Sequence, residues 1–303
     1  MKIKVDEKKI ILITLGIIVG ISIVISSDFK YSINNFTDPN PDNMTIRTSK
    51  LSEKIYIDNN WTDAKTAGIC TGNGTPSDPY IIEDLEIDAG DLGSSILIEN
   101  SNVNFIIQNC TLTSSGPEFT DSGIKLINVD NGNLINNTAT GNSVGIYMEI
   151  CENFVIVNNN LKNEFDMQVV GSTNILMYLN DFKSNFINLF FQNASFTCRS
   201  PKKINYIYDG KSFTKYLGNY WSGYTGPDHN NDGIGDTTHI FYDSTTYDVD
   251  YYPLYLTTDN YIIKGFAKEG LEISAYQSLC VIGVISFSLI ILLRRRKRLR
   301  ISS

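Results

Sequence analysis

The segment NFVIVNNNL, residues 153–161, decides the fold, because three others in the chain repeat its pattern. They are NFIIQNCTL (104–112), NGNLINNTA (131–139) and NILMYLNDF (174–182). Each opens on Asn, and their starts lie 27, 22 and 21 residues apart. A second short apolar run precedes each one: SILI (95–98), GIKL (123–126), GIYM (145–148) and DMQV (166–169). Apolar residues at every second position argue for strands with one face buried. A unit of about 22 residues cannot close a core alone and must stack on its neighbours. The leucine-rich signature with a similar period is absent. The pattern therefore predicts an all-β, single-stranded parallel β-helix with two strands per turn, each turn rising by one strand spacing of ~4.8 Å.

Stacking predicts columns. Phe105, Phe154 and Ile175 should point inward above one another, with a gap at Gly132. Ile107, Leu134, Ile156 and Met177 should form a second column, and Asn104, Asn131, Asn153 and Asn174 an asparagine ladder. TSSGPEFTD (113–121) reads as the loop that lengthens the first interval. KIYID (54–58), YIIEDLEI (80–87), FINLFF (186–191) and INYIY (204–208) read as irregular flanking coils, giving six to eight in all. Cys110 and Cys151 fall in different columns, beyond the ~7 Å limit for a disulfide, and should be buried thiols. The pairing of Cys70 and Cys198 stays open.

The ends differ from the middle. Residues 10–25 carry no charge and follow four lysines, as in a signal peptide or a short anchor. Residues 274–293 form a second uncharged stretch, long enough to span a bilayer, and RRRKRLR (294–300) follows. Clustered basic residues beside a span stay cytoplasmic, which puts the rest of the chain outside. The expected organisation is a signal peptide or anchor (1–27), a linker (28–50), the β-helix (51–256) with its cap (217–256), a juxtamembrane linker (257–273), a transmembrane helix (274–293) and a basic cytoplasmic tail (294–303).

These ends hold 10 of the 25 basic and 2 of the 33 acidic residues. The segment from Ser27 to Tyr276 is left with 15 basic and 31 acidic, a net of −16. Nucleic-acid partners need a basic footprint and are excluded. No CxxC or Cys/His cluster points to zinc or to a thioredoxin-like centre. Seven N-x-Ser/Thr sequons, at Asn35, Asn43, Asn60, Asn73, Asn109, Asn136 and Asn193, fit a surface protein.

After the repeats comes LGNYWSGYTGPDHNNDGIGDT (217–237), followed by DVDYYPL (248–254). These motifs resemble the terminal signature of NosD-like proteins, and GNGTPSDPYIIEDLEI (72–87) resembles that family's first coil. The resemblance covers residues 51–256 and implies a right-handed β-helix of a fold group that binds or cleaves carbohydrates. It also implies periplasmic copper delivery, which His229 and His239, ten apart, with scattered methionines, support poorly.

Within the signature, Asp228, Asn230, Asp232 and Gly233 match the first half of an EF-hand loop, and Asp236 takes the ninth position. His239 stands where the bidentate Glu belongs, so two readings remain: a weaker calcium site completed by Asp243, Asp248 or Asp250, or a turn closed by its own Asx residues.

Carbohydrate chemistry would need two carboxylates about 5–10 Å apart. Asp121, Asp130, Glu149 and Glu152 should face outward, with Asp130 and Glu152 one coil apart in one column. Lys125 and Tyr147 should be column neighbours and suit contact with a sugar, while Tyr178, Tyr220, Trp221 and Tyr224 could add ring surface or seal the end of the coil. The sequence thus favours a membrane-anchored, non-catalytic surface protein that binds a polysaccharide or another envelope component. A membrane-anchored polysaccharide lyase or hydrolase is the rival, and a copper-maturation accessory the third reading.

Overall fold

A computed structural model describes residues 49–184, 186–242 and 247–264. The chain winds as a parallel β-helix whose coils stack into three parallel sheets. The first sheet holds Lys50–Ser52, Leu85–Asp88, Thr111–Thr113, Thr138–Thr140, Asn160–Lys162, Asp181–Phe182 and Tyr220–Trp221. The second holds Ile55–Asp58, Ile96–Ser101, Ser122–Val129, Val144–Glu149, Phe165–Val170 and Ile187–Gln192. Tyr80–Glu83, Phe105–Gln108, Gly132–Ile135, Glu152–Val157, Thr173–Tyr178 and Phe196–Thr197 form the third. Each full turn therefore carries three strands where the alternation predicted two. The missed strand is the three-residue tail of each Asn-led segment, too short to show a period of its own.

The predicted register holds residue by residue. Phe154 pairs with Ile175, Phe105 with Gly132, and Ile107–Leu134–Ile156–Met177 run as one buried column. The segment ends Leu112, Ala139, Leu161 and Phe182 stack as well. Gly132 is no void: a Cβ there would lie 2.3 Å from Phe154 Cε1 and 2.5 Å from Phe105 Cζ. The two rings meet edge to face, 6.0 Å apart, across the space that glycine leaves.

Both ends of the barrel are plugged by aromatic rings. At the start, the helix Trp61–Thr66 places Trp61 flat on Tyr80 at 5.0 Å and against Phe105 at 5.3 Å. At the other end Trp221 stacks on Phe182 at 4.2 Å, and Phe241 packs against Trp221 at 4.4 Å. Trp221 thus seals the coil.

INYIY does not add a coil. Ile204–Tyr208 pairs antiparallel with Lys211–Lys215 and Tyr261–Lys264, and this small sheet shares a second apolar cluster with the outer residues of the third sheet, Ile135, Val155, Val157, Leu176 and Tyr178. Those outward residues are apolar, so they demand a cover that the coil alone cannot give. Tyr178 is consequently buried and offers no ring surface to a sugar.

All four described cysteines are free and buried. Among the described residues no helix is long and apolar enough to cross a membrane. The two uncharged stretches, 10–25 and 274–293, lie outside them.

Candidate functional site

The outer face of the second sheet carries the row Leu97, Lys125, Tyr147, Gln168 and Phe190, in register from coil to coil. Strand alternation aims these side chains away from the core, since Ile124, Ile146 and Met167 beside them point inward and are fully buried. Lys125 and Tyr147 are neighbours as expected, with the Lys125 Nζ 5.6 Å from the ring centre. Lys125 also donates to Thr120 Oγ1 at 2.8 Å, which ties the row to the 114–121 loop.

The Tyr147 hydroxyl donates to Glu149 Oε2 at 3.0 Å. Burial first, then that carboxylate, push the phenol up to about 12, so it stays protonated. Gln168 follows Tyr147 in the row and is 2% exposed, and its Nε2 has no hydrogen-bond partner among the described residues. Phe119, Phe165 and Phe186 flank the row, with ring spacings of 5.0 and 5.5 Å. The sequence reading missed Gln168 and these phenylalanines. A lone Gln in a polar repeat carries no signal, and Phe119 and Phe186 lie in loops without periodicity.

Asp130 and Glu152 form a parallel bridge one coil apart, as their column predicts. They stand at the turn into the third sheet, Asp130 half-buried and Glu152 exposed. The structure does not place them on the row of Lys125 and Tyr147. A separate open groove of about 420 Å³ is lined by Asp91, Ser115, Asn142 and Glu164.

In the cap, the loop residues act on their own backbone. Asp228 accepts the N–H groups of Asp232 and Gly233, at 3.1 and 2.9 Å. Asn230 accepts from Asp232 N–H at 3.0 Å and donates to Asp236 at 3.2 Å. Asp232 accepts from Ile234 N–H at 2.9 Å and pairs with Lys215. Asp236 receives the His229 N–H at 2.8 Å, and this bond, with a second from the His229 ring, holds its carboxyl below the usual range. Of the acids expected to complete a calcium site, Asp248 accepts from Val249 N–H at 2.7 Å, Asp250 caps a buried ladder, and Asp243 lies outside the described residues.

That ladder is the dominant polar feature of the core. Asn137, Asn159, Asn180 and Asn219 are buried, and each donates its backbone N–H and Nδ2 to the next residue along, ending on Asp250. Asp250 also takes the Trp221 Nε1–H at 2.9 Å. A parallel ladder passes from Asn142 through Asn163 to Asp166, which also accepts Ser184 N–H at 2.6 Å. Burial raises Asp250 to about 6 and Asp166 to about 7 against the pull of these donors. The expected outer ladder exists for Asn131, Asn153 and Asn174, all at positive φ. Asn104 is not in it: Asn131 donates to the Asn102 carbonyl at 2.9 Å instead.

The sequence model of the NosD family, described as a periplasmic copper-binding protein, matches residues 2–226. The chain belongs to the NosD family. No curated protein matches it. The family's description makes copper the group to test. Among the described residues no three His, Cys, Asp or Glu side chains lie close enough to hold a metal ion. Trp221, Tyr224 and Phe241 wall in His239, and burial pushes it down to about 4, so it stays neutral. His229 is spent on Asp236. Burial lifts the Cys110 and Cys151 thiols to about 11, and Met148, Met167 and Met177 are core side chains. A copper site needs converging soft or imidazole ligands. The described residues of this NosD-family chain do not fit copper.

Proposed function

We propose that this chain is a membrane-anchored, non-catalytic surface protein whose second sheet presents its outer face to a polysaccharide or another hydroxyl-rich component of the envelope. The family's periplasmic description supports a place outside the cytoplasm. The signal peptide or anchor at 1–27, the span at 274–293 and the cytoplasmic tail belong to this reading, as does right-handed winding, the hand that parallel crossovers take almost without exception.

One observation carries it: Gln168 Nε2, buried and without a partner among the described residues, aims outward beside the Tyr147 ring. A buried donor left unmade costs ~1–3 kcal/mol, which a ligand oxygen would recover once the Gln168 side chain turns out from its 2% exposed position. Lys125 supplies a cation within the row, and Glu149 an acceptor two residues along the strand from Tyr147. Carbohydrate hydroxyls answer the ammonium, the amide and the carboxylate, and Tyr147, itself 7% exposed, positions that carboxylate through its hydroxyl rather than offering its ring face. Asp130 and Glu152 argue for binding rather than turnover. They stand at the turn into the third sheet, off the row that would hold the sugar, whereas a glycosidase sets its two carboxylates on either side of the bound substrate.

The test is retention of the full chain, in detergent, on a panel of neutral and acidic polysaccharides. Tyr147→Ala should weaken retention at least tenfold, and Gln168→Leu should weaken it several-fold. Retention that ignores both substitutions overturns the reading. Release of shortened or unsaturated products, lost in an Asp130→Asn/Glu152→Gln variant, would establish the enzyme instead.

A further inference from the structure

The cap ends in a two-stranded hairpin, His239–Tyr242 with Tyr247–Asp250, whose faces differ sharply. One face packs inward. Phe241 joins the aromatic plug, Asp248 opposite it bonds to Val249 N–H, and Asp250 closes the asparagine ladder. The other face is uncharged, with Ile240 beside Val249, Tyr242 beside Tyr247, and Tyr251 two residues on. Tyr242, Tyr247 and Tyr251 are 74%, 69% and 64% exposed. Nothing in the β-helix requires this. A hairpin with one face in solvent ordinarily shows polar residues there.

We infer that this tyrosine face rests on the membrane surface, in the headgroup layer. The inference rests on the anchored reading above. Nine residues, 265–273, separate Lys264, the last described residue, from the uncharged stretch 274–293. That gap spans at most ~36 Å when fully extended, so Lys264 stays within one bilayer thickness, headgroups included, of the lipid. Tyrosine suits that layer because its ring enters the acyl boundary while its hydroxyl stays wet. Among its described residues the face bears no Lys or Arg, so the attraction is interfacial partition rather than pairing with anionic lipid. Held this way, the cap would fix the angle of the coil stack against the bilayer.

The experiment uses the full chain, with Cys280→Ser, in phosphatidylcholine vesicles. A nitroxide is attached at Tyr247→Cys or, for comparison, at Tyr56→Cys in the first coil. The four other cysteines are buried and should escape labelling. Collision with lipid-soluble oxygen is compared with collision with a water-soluble nickel chelate. The label at 247 should favour oxygen several-fold more than the label at 56. Equal ratios overturn the tyrosine face. A preference that vanishes when the protein is diluted to one chain per vesicle also overturns it, because a second copy would then be the cover. A carbonate wash tests the anchor separately. Release of the chain would overturn the anchored reading and the face with it, whereas retention with an aqueous label would overturn the face alone.

Discussion

The buried asparagine ladders and the exposed ones run in opposite directions. In the core each amide donates forward, from Asn137 through Asn219 to Asp250 and from Asn142 through Asn163 to Asp166. On the surface each donates backward, from Asn158 through Asn136 and Asn109 to Asp84, and from Asn128 through Asn100 to Asp58. These four end on a carboxylate, whereas the exposed ladder from Asn174 through Asn153 and Asn131 ends on the Asn102 carbonyl. The last amide has donors to satisfy and no further coil to accept them, and a carboxylate is the side chain that accepts without needing to donate. The sequence writes the same residue at both depths, yet the energies differ. An unpaired amide in the core has no water to replace its partner, while one on the surface does.

The comparison breaks first at Asn159. Replacing it with Ala strands the Asn137 N–H, leaves the Asn137 Nδ2 only the Ile107 carbonyl, and frees the Leu134 and Val157 carbonyls inside the core. Each stranded buried group costs ~1–3 kcal/mol, so a loss of about 4 kcal/mol is expected in urea melts. Asn136→Ala removes an equivalent link from an exposed ladder and should cost about 1 kcal/mol, mostly the strain of Ala at a left-handed turn, because water replaces the lost bond. Equal losses would show that the ladders matter by geometry and not by burial. Asn109 and Asn136 also head sequons, and their amides are already committed to this ladder.

The second effect belongs to the ladder ends. Asp166 and Asp250 sit at about 7 and about 6 in the folded chain, raised by burial, whereas an unfolded Asp titrates near ~4. The folded state therefore holds more protons between those values, and stability falls as pH rises. Their contribution is complete below ~4 and is lost as pH passes through 6 to 7. Going from pH 5 to pH 8 should cost on the order of 3 kcal/mol, read as a lower melting temperature. Asp166→Asn should flatten that slope. A melt that rises from pH 5 to 8 would reverse the assignment.

Much of this was legible from residues alone, because a β-helix repeats its physics. Phe105, Phe154 and Ile175 share a column for the same reason in every coil, so a spacing of 21 or 22 residues fixes their register. The cap offers no second copy of anything. INYIY has the alternation of a coil strand and leaves the coil because the third sheet's outer residues need a cover, a demand written in Val155 and Val157 rather than in INYIY. The candidate site was half legible. Lys125 and Tyr147 follow from register, but Gln168 gains its meaning from burial on an outward face, which no local pattern records.

The smallest effect is expected where the cap looks most like a metal loop. Asp228, Asn230 and Asp232 each spend side-chain oxygens on N–H groups of the loop, and Asp232 pairs with Lys215 as well. The cap thus closes upon itself, as the ladders close from coil to coil. A cation would have to displace these donors and the ammonium before gaining a ligand. A bound ion at a hundred times its Kd adds ~2.7 kcal/mol, a shift of several degrees. Millimolar calcium against chelator should instead leave the melting temperature unchanged within about a degree. Asp232→Ala should destabilise the cap equally in both, since it strips Lys215 and the Ile234 N–H of their partner. A calcium-dependent shift that Asp232→Ala abolishes would make the loop a metal site. It would also mean that the hydrogen bonds seen here are the ion-free half of a switch.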